Sequence, residues 1–150
     1  MATINLDSFF SAARTGDITT LKKYLDNGVD IHSCDDLALK SARETGQTEA
    51  VIFLLENGAN LYVLDDDSIL RYSSLRGDSY SFNQTLKNGN CSQEAKLYSM
   101  YNAIFCGHDE IAKSLLDDGT LLTENDGAIL RVLKFCKHNK ILALFKDYLR

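Results

Sequence analysis

Between Thr48 and Asn57 the chain sets Ala50, Val51, Leu54 and Leu55 at three- and four-residue spacing and then reaches Gly58. That is the period of a helix with one buried stripe, and a glycine directly after it supplies the left-handed residue on which helices commonly stop. The pattern returns at Ile18 to Asn27, Ser79 to Asn88, Asp109 to Asp118 and Asn139 to Leu149. Ahead of each lies a second, shorter apolar stripe. In it Phe9, Leu39, Leu70, Met100 and Leu130 hold one place, and Ala12, Ala42, Ser73, Ala103 and Leu133 hold another where small residues let helices approach. Asn5, Asp35, Asp66 and Asp126 stand at the starts of these inner helices and are the expected N-caps, since a side-chain oxygen there accepts from free backbone amides. In the fourth unit that frame falls on Lys96, so Ser92 or Glu94 is the expected cap.

The glycines fix the period. Gly16, Gly46, Gly77 and Gly107 are separated by 30, 31 and 30 residues, and each is followed twelve residues on by another, Gly28, Gly58, Gly89 and Gly119. The frame then lands on Lys137, where Phe135-Cys136-Lys137-His138 answers Phe105-Cys106-Gly107-His108. The expectation is therefore an all-α repeat domain spanning 1–150, with five helix-turn-helix units at about 5–34, 35–65, 66–95, 96–125 and 126–150. Helices this short are marginal alone and need neighbouring units to cover their apolar faces. The third unit is the weak one: Ser81 and Thr85 stand where the second has Ala50 and Leu54.

Leu54-Leu55-Glu56-Asn57-Gly58-Ala59-Asn60-Leu61 resembles the ankyrin signature, in which leucines close the outer helix and Gly-Ala-Asn or Gly-Ala-Asp opens a β-turn finger. Leu25-Asp26-Asn27-Gly28-Val29-Asp30-Ile31 and Leu115-Leu116-Asp117-Asp118-Gly119 echo it, so the resemblance covers nearly the whole chain. The family's Thr-Pro-Leu-His is replaced by Ala38-Leu39-Lys40, Ile69-Leu70-Arg71 and Ile129-Leu130-Arg131, a style similar to divergent ankyrin repeats of large viruses and intracellular bacteria. The resemblance implies an ankyrin solenoid that binds another protein through its concave face, as a captor or inhibitor of a host or competing protein. It also implies that the histidine after the central glycine helps start the outer helix.

Composition narrows the classes further. The chain has 150 residues, 45% hydrophobic and 25% charged, which suits one folded domain. Its net charge of -5 has the wrong sign for gripping a nucleic-acid backbone. No apolar run approaches the roughly 20 residues of a membrane span, and the start from Met1 to Asp7 lacks the features of a signal peptide, so a cytoplasmic location is expected. Cys34, Cys91, Cys106 and Cys136 are too few and scattered to read as disulfide staples, and free thiols are expected. No phosphate-binding glycine loop, nucleophile elbow or His-Glu-x-x-His pair is present, so neither an enzyme nor a cofactor is expected. Cys106, His108, Cys136 and His138 form the set from which a metal- or thiol-dependent protein would be built. Equivalent side chains one repeat apart run parallel rather than converging, which argues against it.

Two groups of residues are candidates for protein binding. The column two residues before each central glycine reads Arg14, Glu44, Leu75, Phe105 and Phe135, changing from charged to apolar, with Arg76, Cys106 and Cys136 beside it. The fingers contribute acids at Asp35, Asp36, Asp65 and Asp67, which points to a partner surface that is basic and apolar. A homo-oligomeric scaffold, pairing through the same apolar column, is the alternative. Lys40, Arg71 and Arg131 recur at one place in the repeat and are expected to pair with an acid or carbonyl of a neighbouring finger.

Overall fold

The computed structural model describes residues 4–119 and 126–148, and among these the chain is all-helical, with ten α-helices, one short 3-10 turn and no strand. It divides into two compact units, residues 1–64 and 65–150. The boundary falls at the end of the second repeat.

The first unit holds α1 (Leu6–Thr15), α2 (Ile18–Asp26), α3 (Ser33–Glu44) and α4 (Thr48–Glu56), followed by a 3-10 turn, Leu61–Val63. Asn5 caps α1 as its place predicts, accepting from the backbone amides of Asp7 and Ser8. Asp17 caps α2. It accepts from the Thr20 hydroxyl at 2.6 Å and the Thr20 amide at 3.0 Å, and these bonds hold its carboxyl below the usual range. Phe9, Leu21, Leu39, Ala42, Val51 and Leu54 are buried, so both predicted stripes face inward.

The head of α3 departs from expectation. Cys34, Asp35 and Asp36 take φ of 55, 59 and 56°, a left-handed turn before right-handed helix resumes at Leu37. Left-handed backbone costs a non-glycine residue about 1–2 kcal/mol, so the surroundings must hold it in place. Asp35 is therefore not the N-cap: its carboxylate is 85% exposed and lies 3.2 Å from Lys40 Nζ. Asp36 is buried instead, accepts from the Asn60 amide at 2.8 Å and lies 3.1 Å from His32 Nδ1. Asn60 in turn accepts from the Tyr62 amide and opens the 3-10 turn. The acid at the head of the repeat thus closes its end.

The second unit holds α5 (Asp66–Arg76), α6 (Ser79–Asn88), α7 (Gln93–Cys106), α8 (Asp109–Asp118), α9 (Asp126–Leu133) and α10 (Asn139–Tyr148). The cap of α5 is Asp65, one residue before the expected Asp66; it accepts from the Ser68 amide at 2.9 Å. Asp66 is displaced from that role because it accepts from the Asn90 amide at 3.0 Å, the same closure that Asp36 makes with Asn60. Asp67 accepts from the Ser92 amide at 2.8 Å and hydroxyl at 2.7 Å, while Ser92 Oγ caps α7 by accepting from the Ala95 amide. The side chain of Asp126 and the residue Leu149 lie outside the described residues.

Leu70, Phe82, Met100, Ile104, Ile111, Leu115, Ile129 and Phe145 belong to one buried cluster in this unit. Leu130, expected in the core, is 42% exposed, while Ile129 beside it is buried. Ile129 and Leu133 hold the same buried places as Ile69 and Ser73 in α5, so the stripe keeps its register and Leu130 leaves it. Gly89, expected as a left-handed stop, is extended at φ -88°; a Cβ there would lie 2.6 Å from the Thr85 carbonyl. The weak third repeat does bury Ser81 and Thr85, and fully buried Phe82 supplies the missing apolar volume.

Two outcomes follow from this packing. Because α6 buries two hydroxyl side chains where its counterparts bury apolar ones, its amides should exchange hydrogen faster than those of α8, residues 109–118. Equal protection measured by mass spectrometry would contradict this. Asp36→Ala leaves the Asn60 amide without its charged acceptor and should lower stability by about 1–3 kcal/mol in urea titration. Asp35→Ala, whose ion pair is exposed, should change it by no more than about 0.5 kcal/mol.

Candidate functional site

The last four carbonyls of a helix have no partner within it. In this chain the next repeat supplies one. Thr45 Oγ1 donates to the Arg14 carbonyl at the end of α1 at 2.9 Å. In the second unit His108 Nε2 lies 3.2 Å from the Leu75 carbonyl and His138 Nε2 lies 3.0 Å from the Phe105 carbonyl. A carbonyl only accepts, so Nε2 carries the proton in both rings. Each imidazole reaches its carbonyl by lying flat over a glycine: a Cβ on Gly77 would come within 2.7 Å of His108, and one on Gly107 within 2.6 Å of His138. Those two positions take φ of 72 and 78°, so glycine there meets both the backbone and the space requirement. His108 stands at the N-cap of α8, where its carbonyl accepts from the Ala112 amide at 3.1 Å, and since its imidazole makes no cap bond the ring is left to tie the repeats.

This tie shapes a groove. Ile104, Phe105, Phe135, Cys136, Lys137 and His138 line a hollow of about 280 Å³ where α7 ends and the turn after α9 begins. Ile104 points into the core and is fully buried, whereas Phe105 is 59% exposed and Phe135 is 73% exposed. Phe135 leaves α9 in a turn whose amide donates to the Val132 carbonyl, and the next amide, Cys136, donates to Leu133. Its backbone is thus satisfied while its ring stands in solvent. Cys136 Sγ lies 3.7 Å from the Ile104 carbonyl on the floor between them.

The remaining candidates are dispersed. Leu75 is half-buried at the end of α5, with half-buried Arg76 beside it, and Arg14 and Glu44 are exposed in the first unit. Asp36, Asp65 and Asp67 spend their carboxylates on backbone amides; Asp36 is buried and Asp67 half-buried, whereas Asp35 and Asp65 are exposed. Arg71 meets an acid at the head of the next inner helix, Glu94 at 3.7 Å, and lies over the Tyr98 ring at 5.4 Å, whereas Lys40 pairs with Asp35 and Arg131 Nε donates to the Gly127 carbonyl of its own helix. Sequence reasoning missed Lys137 as a groove residue and missed Asn102, whose amide nitrogen donates to Ser74 Oγ at 2.9 Å. Lys137 occupies the central-glycine position of the fifth repeat, and that substitution was the available signal.

With their Nε2 atoms on carbonyls and their rings against glycines, His108 and His138 are not turned toward each other's cysteines. Among the described residues no three His, Cys, Asp or Glu side chains come together in a way that would hold a metal ion. No described helix is long and apolar enough to cross a membrane. Compared with known proteins, the chain matches no family model, no curated protein and no solved structure.

All four cysteines are free, but their surroundings differ. Cys34 and Cys106 are exposed, while burial pushes the Cys91 thiol above its ordinary value, reinforced by the charges of Asp66 and Asp67. Thiolate is the reactive form, so maleimide at neutral pH should label Cys34 and Cys106 well before Cys91, and raising the pH should narrow the gap. Peptide mass spectrometry of timed samples reads this directly; equal rates at neutral pH would refute the assigned burial of Cys91.

Proposed function

We propose that this chain is an ankyrin-type repeat module that binds another protein without catalysis, through the inner-helix ends that carry Phe105 and Phe135. The observation that carries this reading is the pair of exposed rings in one groove, on a segment whose surrounding backbone is already hydrogen-bonded. Large apolar side chains clustered on a wet surface mark interaction sites more often than they occur idle. The ankyrin part of the reading is supported by helix pairs that recur with the glycine period and by polar side chains that tie consecutive repeats. Asp36, Asp65 and Asp67 already hold backbone amides, so in this reading the rings are the anchors. Capture or inhibition of a host or competing protein is the biological role that the repeat style suggests.

Affinity capture with the full chain as bait, run beside Phe105→Asp, tests the reading. Circular dichroism should show both folded, because the ring is exposed. A partner recovered by the native chain should be lost from the variant, with dissociation accelerated at least about 10-fold, since buried aromatic anchors carry much of an interface's energy. A partner held equally by both would move the site elsewhere. A stable dimer in sedimentation that Phe105→Asp dissociates would favour the homo-oligomeric scaffold.

A further inference from the structure

The groove differs in charge from the chain that carries it. The whole sequence has a net charge of -5, yet from Gly127 to Lys140 it holds Arg131, Lys134, Lys137 and Lys140 and no Asp or Glu. Lys137 lines the groove itself, and Lys134 and Lys140, which bracket its lining residues in sequence, are both exposed. The acids that follow α7, Asp109 and Glu110, line a separate hollow with Gly77, Ser79 and Ile111. Beside the two rings the groove therefore carries Lys137, and the residues on either side of Phe135–His138 add exposed lysines and no acid.

Size limits what can dock. Pockets that enclose a small ligand run to about 300–1,000 Å³, so a hollow of about 280 Å³ suits an anchoring side chain better than a whole ligand. The exposed parts of the two phenylalanines offer roughly 200–330 Å² between them, well short of the roughly 800 Å² per partner that a stable dimer buries. An extended segment meets the limit, because it needs one or two seated side chains and draws further contact from its flanks.

We propose that the groove receives an apolar side chain of an extended acidic segment from another protein, with carboxylates on either side of that anchor meeting Lys134, Lys137 and Lys140. This rests on the reading of the chain as a binding module and reverses the charge expected of its partner from the acidic fingers. The seated side chain supplies affinity, and the lysines draw the segment in and fix which residues flank the anchor.

The test pans a random dodecapeptide display library against the immobilised full chain, then measures selected peptides by fluorescence polarisation. Enriched peptides should place an aliphatic or aromatic residue within a few positions of Asp or Glu. Their affinity should fall at least about 10-fold for Phe135→Ser, whose ring is exposed and outside the core, and similarly for Lys134→Glu combined with Lys137→Glu. Raising salt should weaken them as well, since the flanking contacts are exposed charges. Peptides that need Phe135 but carry Lys or Arg would overturn the acidic segment and leave the binding module standing. Peptides indifferent to Phe135→Ser would overturn the groove as the site. Failure to enrich any peptide, with or without a dimer that Phe135→Ser dissociates, would overturn the proposal.

Discussion

The structure depends on capturing backbone groups that short helices leave unpaired. In a helix of eight to fourteen residues the orphaned amides and carbonyls at the ends make up about three-tenths to a half of the backbone polar groups, and burying an unpaired one costs about 1–3 kcal/mol. Here side chains at fixed places in the repeat do the capturing. Asp36 and Asp66 take the amides of Asn60 and Asn90, each 24 residues further on. Thr45, His108 and His138 take carbonyls at the end of the preceding inner helix. Within each compact unit these ties fix how successive helix pairs meet, and the apolar stripes then pack in the register so set.

This accounts for the polar residues that look most like chemistry. Aspartates clustered at a finger and histidines repeated beside cysteines have the composition of a binding edge and a metal site. Their atoms are directed at backbone: Asp67 holds both donors of Ser92, and each imidazole lies over a glycine with Nε2 on a carbonyl. The left-handed turn at Cys34–Asp36 fits the same logic, since it swings the Asp36 carboxylate inward to Asn60 at a cost the hydrogen bonds offset. Phe105, Phe135 and Lys137 are among the described helix-end side chains with no such duty.

The fifth repeat shows how the site arises from loss of the pattern. Where four repeats have glycine, it has Lys137, and in its inner helix Ile129 and Leu133 stay buried while Leu130 is out. His138 nevertheless keeps the tie to Phe105. The same bond that His108 makes thus holds the divergent repeat in place, while its own side chains line the groove beside Phe105.

The sequence by itself determined the helices and their pairing, because a 3.6-residue apolar stripe bounded by glycine is local information, repeated here at an interval of 30 or 31 residues. The buried places of Phe9, Leu39, Leu70 and Met100 were legible for the same reason. So was the cap of Asn5, whose partners lie two and three residues away. The tertiary structure decided the rest. Asp66 reads as a cap until Asn90, distant in the chain, claims its carboxylate and Asp65 takes over. The histidines' tautomer, the exposure of Phe105 and Phe135, and Lys137 beside them likewise depend on groups some thirty residues apart. A side chain's neighbours along the chain fix its helix, but which backbone group it meets, and whether its face is covered, is settled only when the repeats are stacked.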